Sequence, residues 1–213
     1  MLPPGHAGIT LGLVQLLTLL VKRSRRFRKG EPKIGVFVES AKSMGSSLSN
    51  NGRGEIDLQG SLVRPDARFV LLGSILPDVI DKPVGLFFFR DIFSNGRIFS
   101  HTLIFVVLLS LVGLALYRTK RKQWGIVVAF GVFIHLLLDQ MWLNPQTLLW
   151  PIYGFTFERA DLTNWAQNIL SSLLSHPAVY VPEIAGGAIL FIFMVRLIRN
   201  KEVRRFFRYG EGL

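Results

Sequence analysis

The sequence has no cysteine, which excludes a small fold held together by disulfide bonds. Charge is also scarce: 18% of the residues are charged, against about a quarter in an average soluble protein. Half of the residues (50%) are hydrophobic, which excludes a disordered chain. Acidic residues are the scarcer sign, and the formal net charge is +11. The basic residues cluster just after apolar runs, so the sequence favours a small integral membrane protein over a nucleic-acid-binding one.

Five apolar stretches predict an all-α fold, an integral membrane helical bundle of about four to five transmembrane helices. They are residues 7–21, 69–80, 102–117, 124–143 and 178–198. A spanning helix needs about 20 residues, with about 17 as a practical minimum. The last two stretches meet that length, the third is just short, and the first two need neighbouring helices or a thinned bilayer. We expect residues 1–213 to form a single membrane-embedded domain.

Basic clusters follow the first, third and fifth stretches, and this predicts the orientation in the inner or plasma membrane. With five crossings and the N-terminus outside, 21 of the 25 Lys and Arg residues lie on the cytoplasmic side, together with the C-terminus. The loop at 22–66 is basic at its start and of low complexity at 43–52, so we expect it to be mobile. Its basic residues serve as a positive-inside anchor or bind anionic lipid headgroups, and membrane lipids are the expected partners.

Ionisable side chains inside apolar stretches are costly, and each is therefore a candidate functional residue. They are His6, Asp78, Asp81, His101, His135, Asp139 and Glu183. Residues three or four apart share a helix face, so the two pairs Asp78/Asp81 and His135/Asp139 are each expected to converge. In the five-crossing topology all seven lie at the outer end of their stretches. Such a mixed nitrogen and oxygen set suits Zn²⁺, Mn²⁺ or Fe²⁺ and is large enough for one or two divalent ions.

The same residues also suit simpler structural roles. His6 is close enough to the N-terminus to be solvent-exposed, the two aspartates and His101 are suited to capping, and His135 with Asp139 forms a hydrogen-bonded pair without a metal. Two further functions also fit intramembrane His and Asp. A metal or ion transporter would need polar residues across the whole bilayer. A non-catalytic scaffold would recruit its partners through the basic residues at 22–29.

Several of these residues lie in motifs that resemble the YdjM-type family of membrane-bound metal-dependent hydrolases, described as LexA-binding and associated with the inner membrane. The matching motifs are Gly5-His6, the Gly-Ser-Ile-Leu-Pro-Asp-Val-Ile-Asp run at 73–81, Arg97 with Ser100-His101-Thr102, the His-Leu-Leu-Leu-Asp run at 135–139, and Trp150-Pro151. The resemblance implies a hydrolase of poorly defined substrate. No residue in these motifs points to a contact with LexA.

One motif departs from the family pattern. Family members commonly have His-Arg-Gly-x-Thr-His-Ser before the third span, whereas this chain has Gly96 in place of the first His and Ile98 in place of the Gly. Arg97 and His101 are retained. Arg97 is the expected catalytic residue, because its guanidinium group suits the negative charge that develops on a phosphoryl group. A site at the membrane boundary favours a lipid or lipid-linked phosphoester substrate.

Overall fold

A computed structural model describes residues 3–29, 65–159 and 165–210, and no β-strand occurs in these ranges. The helices are α1 (Pro3–Lys29), α2 (Ala67–Pro83), α3 (Arg90–Phe93), α4 (Leu103–Lys120), α5 (Trp124–Leu138), α6 (Pro145–Leu148), α7 (Trp165–Ser175), α8 (Pro177–Arg199) and α9 (Val203–Tyr209). A π-helical segment, Val84–Phe88, extends α2, and a 3-10 turn, Phe99–His101, precedes α4. The all-α prediction is confirmed.

The chain divides into two compact units. The first unit joins Met1–Leu16 to Arg64–Leu213, and it contains every candidate site residue. The second unit is Leu17–Val63, of which the structure describes only the part of α1 that ends at Lys29. The predicted mobile loop at 22–66 is helical at its start, through Lys29, because residues 22–29 contain no Gly or Pro. The rest of that loop, through residue 64, lies outside the described residues.

Three helices are long and apolar enough to cross a membrane: Pro3–Val21 within α1, Leu103–Lys120, and Val179–Arg199 within α8. Only 11% of the apolar window in α4 and 17% of that in α8 is buried within the protein. Large hydrophobic side chains cover the outer faces of both helices, as expected for surfaces that contact lipid. These features support an all-α membrane bundle.

The helices formed by the other two predicted spans, α2 and α5, are shorter than these three. The stretch at 124–143 is α-helical only through Leu138, and a 3-10 turn follows at Met141–Leu143, so the prediction that it forms one helix of spanning length is wrong. The helix ends there because Gln140 adopts a left-handed conformation with φ of 52°. α2 has 17 residues and runs unbroken through Gly73 and Pro77 before it continues into the π-helical segment. Whether α2 and α5 cross the bilayer stays a prediction.

Small residues allow the helices to approach closely, as is common in membrane bundles. A Cβ atom on Gly73 of α2 would overlap the carbonyl oxygen of Val128 in α5. The same steric conflict would occur between Gly113 of α4 and Gly125 of α5. These two crossings hold α2, α5 and α4 side by side. They bring the C-terminal ends of α2 and α5 next to the N-terminal end of α4.

Candidate metal centre

Four chain segments contribute polar side chains to one end of the helix bundle. His6 lies near the start of α1, His101 just before α4, and the remaining side chains near the ends of α2 and α5. The buried members of this cluster are His6, Asp78, Asp81, His101, His135 and Asp139, all at most 8% exposed. Burial of so many ionisable groups is costly unless they are paired or bind an ion. The structure thus brings together six of the seven predicted ligands.

Hydrogen bonds fix the orientation of two histidine rings at the centre of the cluster. His135 donates from Nδ1 to the carbonyl oxygen of Ser74 at 2.6 Å. His101 donates from Nδ1 to the Oδ2 atom of Asp81 at 2.7 Å. In a neutral imidazole, a proton on Nδ1 leaves Nε2 with a lone pair. The two Nε2 atoms lie 3.2 Å apart, so two lone pairs face each other in a buried space.

This spacing matches the requirement of a metal ion. Two nitrogen ligands of a tetrahedral zinc ion, each about 2.0–2.1 Å from the metal, lie about 3.3 Å apart. A third histidine stacks on the second: the ring centroids of His6 and His135 are 4.1 Å apart. His6 Nδ1 is buried without a hydrogen-bond partner among the described residues, and its Nε2 lies 3.1 Å from Oδ1 of Asp139. The donor set therefore fits a divalent ion.

Two carboxylates complete the arrangement around these rings. Asp78 Oδ1 lies 3.8 Å from Nε2 of His101 and 4.0 Å from Nε2 of His135. Asp139 Oδ2 lies 3.7 Å from the same His101 nitrogen. Two groups of three residues could each hold an ion: His6 with Asp78 and His135, and His101 with His135 and Asp139. His135 belongs to both groups.

Asp81 has a different environment from Asp78, although the two are only three residues apart. Its carboxylate accepts hydrogen bonds from the backbone N–H of Ile98 at 2.8 Å and of Ser100 at 3.1 Å, as well as from His101. With these bonds made, the carboxylate faces the 98–101 segment and belongs to neither group of potential ligands. A carboxylate that bonds the second nitrogen of a metal-binding histidine fixes the ring and its tautomer.

Two cations border the cluster on its exposed side. Arg97, the predicted catalytic residue, contacts Oδ2 of Asp139 through Nε at 2.8 Å. Lys82 contacts Oδ2 of Asp78 through Nζ at 2.7 Å. Sequence reasoning missed Lys82, although its position four residues after Asp78 on the same helix was a usable signal.

Glu183 is the predicted ligand that the structure does not bring into either His/Asp group. Its Oε2 atom accepts a hydrogen bond from the backbone N–H of Gly5 at 3.0 Å. The first N–H groups of a helix have no partner within the helix, and a carboxylate also complements the positive end of the helix dipole. Glu183 therefore binds the start of α1, one residue before His6. Gly8 of α1 packs directly on the backbone of Gly186 in α8 at the same crossing.

Comparison with known proteins agrees with the motifs. The sequence profile of the YdjM inner membrane protein family matches residues 1–203, nearly the whole chain. No curated protein and no solved structure matches the chain. The match includes all eight predicted site residues, and the family resemblance that the motifs indicate is confirmed.

Proposed function

We propose that this chain, which belongs to the YdjM inner membrane protein family, is a metal-dependent hydrolase of phosphoesters carried by membrane lipids. The observation that carries the proposal is the pair of Nε2 lone pairs, on His101 and His135, that face each other at 3.2 Å. Without a metal ion or a shared proton between them this contact would be repulsive. Hydrolysis at such a centre is a common use of histidine and carboxylate ligands.

Five residues are proposed to hold one or two divalent ions, of which Zn²⁺, Mn²⁺ and Fe²⁺ suit the donor set. They are the members of the two groups, His6, Asp78, His101, His135 and Asp139. When bound, such an ion makes water a stronger nucleophile at neutral pH and polarises the ester that is cleaved. Asp81 orients His101 through the 2.7 Å hydrogen bond and is proposed as a positioning residue rather than a ligand.

Arg97 is proposed to bind the phosphoryl group. Its side chain is 40% exposed while the Asp139 carboxylate beneath it is 3% exposed, so the guanidinium group lies between solvent and the cluster. A guanidinium group presents donors in a planar fork that matches two phosphoryl oxygens. The backbone N–H of Arg97 donates a hydrogen bond to the Oδ1 atom of Asn95 at 2.9 Å, and this bond helps to fix the loop that carries Arg97.

The surroundings of the cluster favour a lipid substrate. The cluster lies at the starts of α1 and α4, two helices that are long enough to cross a membrane, and so close to where a headgroup would be. Large apolar side chains are exposed in the segments that follow α2 and α6, among them Phe87 at 79%, Ile152 at 83% and Phe155 at 81%. Aromatic and aliphatic side chains at this level contact the boundary between headgroups and acyl chains. They would place a lipid phosphoester beside Arg97.

The proposed orientation puts the centre on the outer side of the inner membrane. The basis is the distribution of charge, with 21 of 25 Lys and Arg residues on the opposite side in a five-crossing topology. The expected partners are accordingly the lipids of the outer leaflet, and no nucleic acid.

The test is a screen of lipid phosphoesters with the full chain in detergent or nanodiscs. We expect turnover that chelator abolishes and added divalent metal restores, and we expect Asp139→Asn to lower kcat/KM by about 100-fold or more. Asp91→Asn, which changes an exposed carboxylate outside the cluster, is the matched control and should keep wild-type activity. Folded protein that turns over no phosphoester in any metal would contradict the proposal.

A further inference from the structure

Lys82 lies at the border of the candidate metal centre, and the proposed function gives it no role. It is in the last turn of α2, and its Nζ atom contacts Oδ2 of Asp78 at 2.7 Å. Its side chain passes over Gly96, where a Cβ atom would lie 3.3 Å from Lys82 Cγ. Gly96 therefore leaves room for the lysine stem. Because Gly96 precedes Arg97 in the chain, this contact brings the two cationic side chains to the same edge of the cluster.

The two cations have the same relation to the cluster. Each forms an ion pair with one proposed ligand carboxylate, Lys82 with Asp78 and Arg97 with Asp139. The cationic side chains are 39% and 40% exposed, whereas the two carboxylates are 7% and 3% exposed. Both cations therefore lie on the side from which a substrate would approach.

The charge of the cluster shows what the cations can bind. Three buried aspartates and two cations give a net charge of −1 when the histidines are neutral. One divalent ion would change this sum to +1, and two would change it to +3. A carboxylate shared with a divalent ion binds a neighbouring ammonium or guanidinium group less strongly. The two cations would then bind an anion instead.

We infer that Lys82 and Arg97 together form the site for the phosphate group of the substrate, and that this substrate is a phosphate monoester. The inference rests on the proposed function. A terminal phosphate carries nearly two negative charges at neutral pH, while a phosphodiester carries one. Two cations beside a metal centre match the monoester better. Lys82 is thus a substrate-binding residue that also competes with metal for Asp78.

This dual role predicts effects of opposite sign in Lys82→Gln. Loss of the ammonium group removes the competitor for Asp78, so the variant should bind Mn²⁺ several-fold more tightly than wild type. It also removes a charge-assisted hydrogen bond, so the Mn²⁺-loaded variant should bind inorganic phosphate about tenfold more weakly or worse. If Lys82 only stabilised the end of α2, the substitution would weaken the binding of both Mn²⁺ and phosphate or change neither.

The experiment is isothermal titration calorimetry of the full chain in detergent, first with Mn²⁺ and then with inorganic phosphate or dimethyl phosphate. Wild type should prefer inorganic phosphate to the diester, and Lys82→Gln should lose that preference. Lys82→Arg keeps the charge and should keep the preference, which makes it the conservative variant. Lys122→Gln, an exposed lysine in the connection between α4 and α5, is the matched control and should behave as wild type.

The outcomes separate this inference from the proposed function. Wild-type protein that binds none of Mn²⁺, Zn²⁺ and Fe²⁺ would overturn both. If wild type binds Mn²⁺ but Lys82→Gln binds Mn²⁺ and phosphate unchanged, or binds both more weakly, only the role of Lys82 is overturned. Equal affinity of the wild type for phosphate and dimethyl phosphate would overturn the choice of a monoester.

Discussion

Replacement of Asp81 by Asn tests whether this residue orients His101 or binds metal itself. The carboxylate accepts from three buried donors: the backbone N–H groups of Ile98 and Ser100, and Nδ1 of His101. An alanine would leave all three unpaired, at about 1–3 kcal/mol each, which approaches the whole stability of many proteins. Asparagine is the informative change, because it keeps one acceptor oxygen and the size of the side chain.

We expect Asp81→Asn to remain folded and to lose about 1–3 kcal/mol of stability, because its amide nitrogen faces at least one donor. Loss of the carboxylate behind a metal-binding histidine typically lowers metal affinity about 10- to 100-fold. The assay is calorimetric titration with Mn²⁺, combined with thermal unfolding. Asp78→Asn, which changes a proposed ligand, should weaken binding further, and Asp91→Asn should change neither quantity. Wild-type Mn²⁺ affinity and stability in Asp81→Asn would refute the reasoning.

Three further predictions concern packing, topology and the start of α1. Gly73→Val should lower the unfolding temperature and reduce the free energy of unfolding by about 1–3 kcal/mol, because the side chain would overlap the backbone of α5. Gly187→Ala, which adds a methyl group in open space, is the control, and equal unfolding temperatures of the two variants would contradict the packing. Because the chain has no cysteine, single cysteines can be labelled without background. Gln146→Cys should react with an impermeant thiol reagent in intact cells, and Thr119→Cys should react only after lysis. The reverse pattern would contradict the predicted orientation. Glu183→Gln should keep its Mn²⁺ affinity within about threefold of wild type, because an amide oxygen still accepts a hydrogen bond from the N-terminus of α1. A loss of Mn²⁺ affinity as large as that of Asp78→Asn would instead identify Glu183 as a ligand.

Much of the fold follows from the pattern of apolar residues. The stretches at 102–117 and 178–198 predict helices, and α4 and α8 contain them almost entirely. The end of α5 was not predictable from hydropathy, because apolar residues resume after Asp139 and Gln140 and continue to Leu143. The helix ends instead at Leu138, where the backbone of Gln140 turns left-handed.

The sequence predicts which residues gather at the candidate site, but it does not predict which of them are ligands and which position a ligand. Spacing predicts that Asp78 and Asp81 share one face of α2, and they do. Their tasks differ because the 98–101 segment folds back onto α2 and its N–H groups bond Asp81. The path of a connecting loop depends on tertiary packing, and spacing along one helix carries no information about it. The same limit applies to Glu183, whose partner lies 178 residues away in sequence.

The most direct test of the central claim is the metal content of the purified full chain, measured by mass spectrometry after removal of loosely bound ions. The comparison is with the double variant His101→Ala and His135→Ala, which removes the two facing nitrogen atoms. The proposed centre predicts one or two divalent ions per wild-type chain and none in the folded double variant. Equal metal content in the two proteins, or none in folded wild type after growth and purification in Zn²⁺, Mn²⁺ and Fe²⁺, would contradict it.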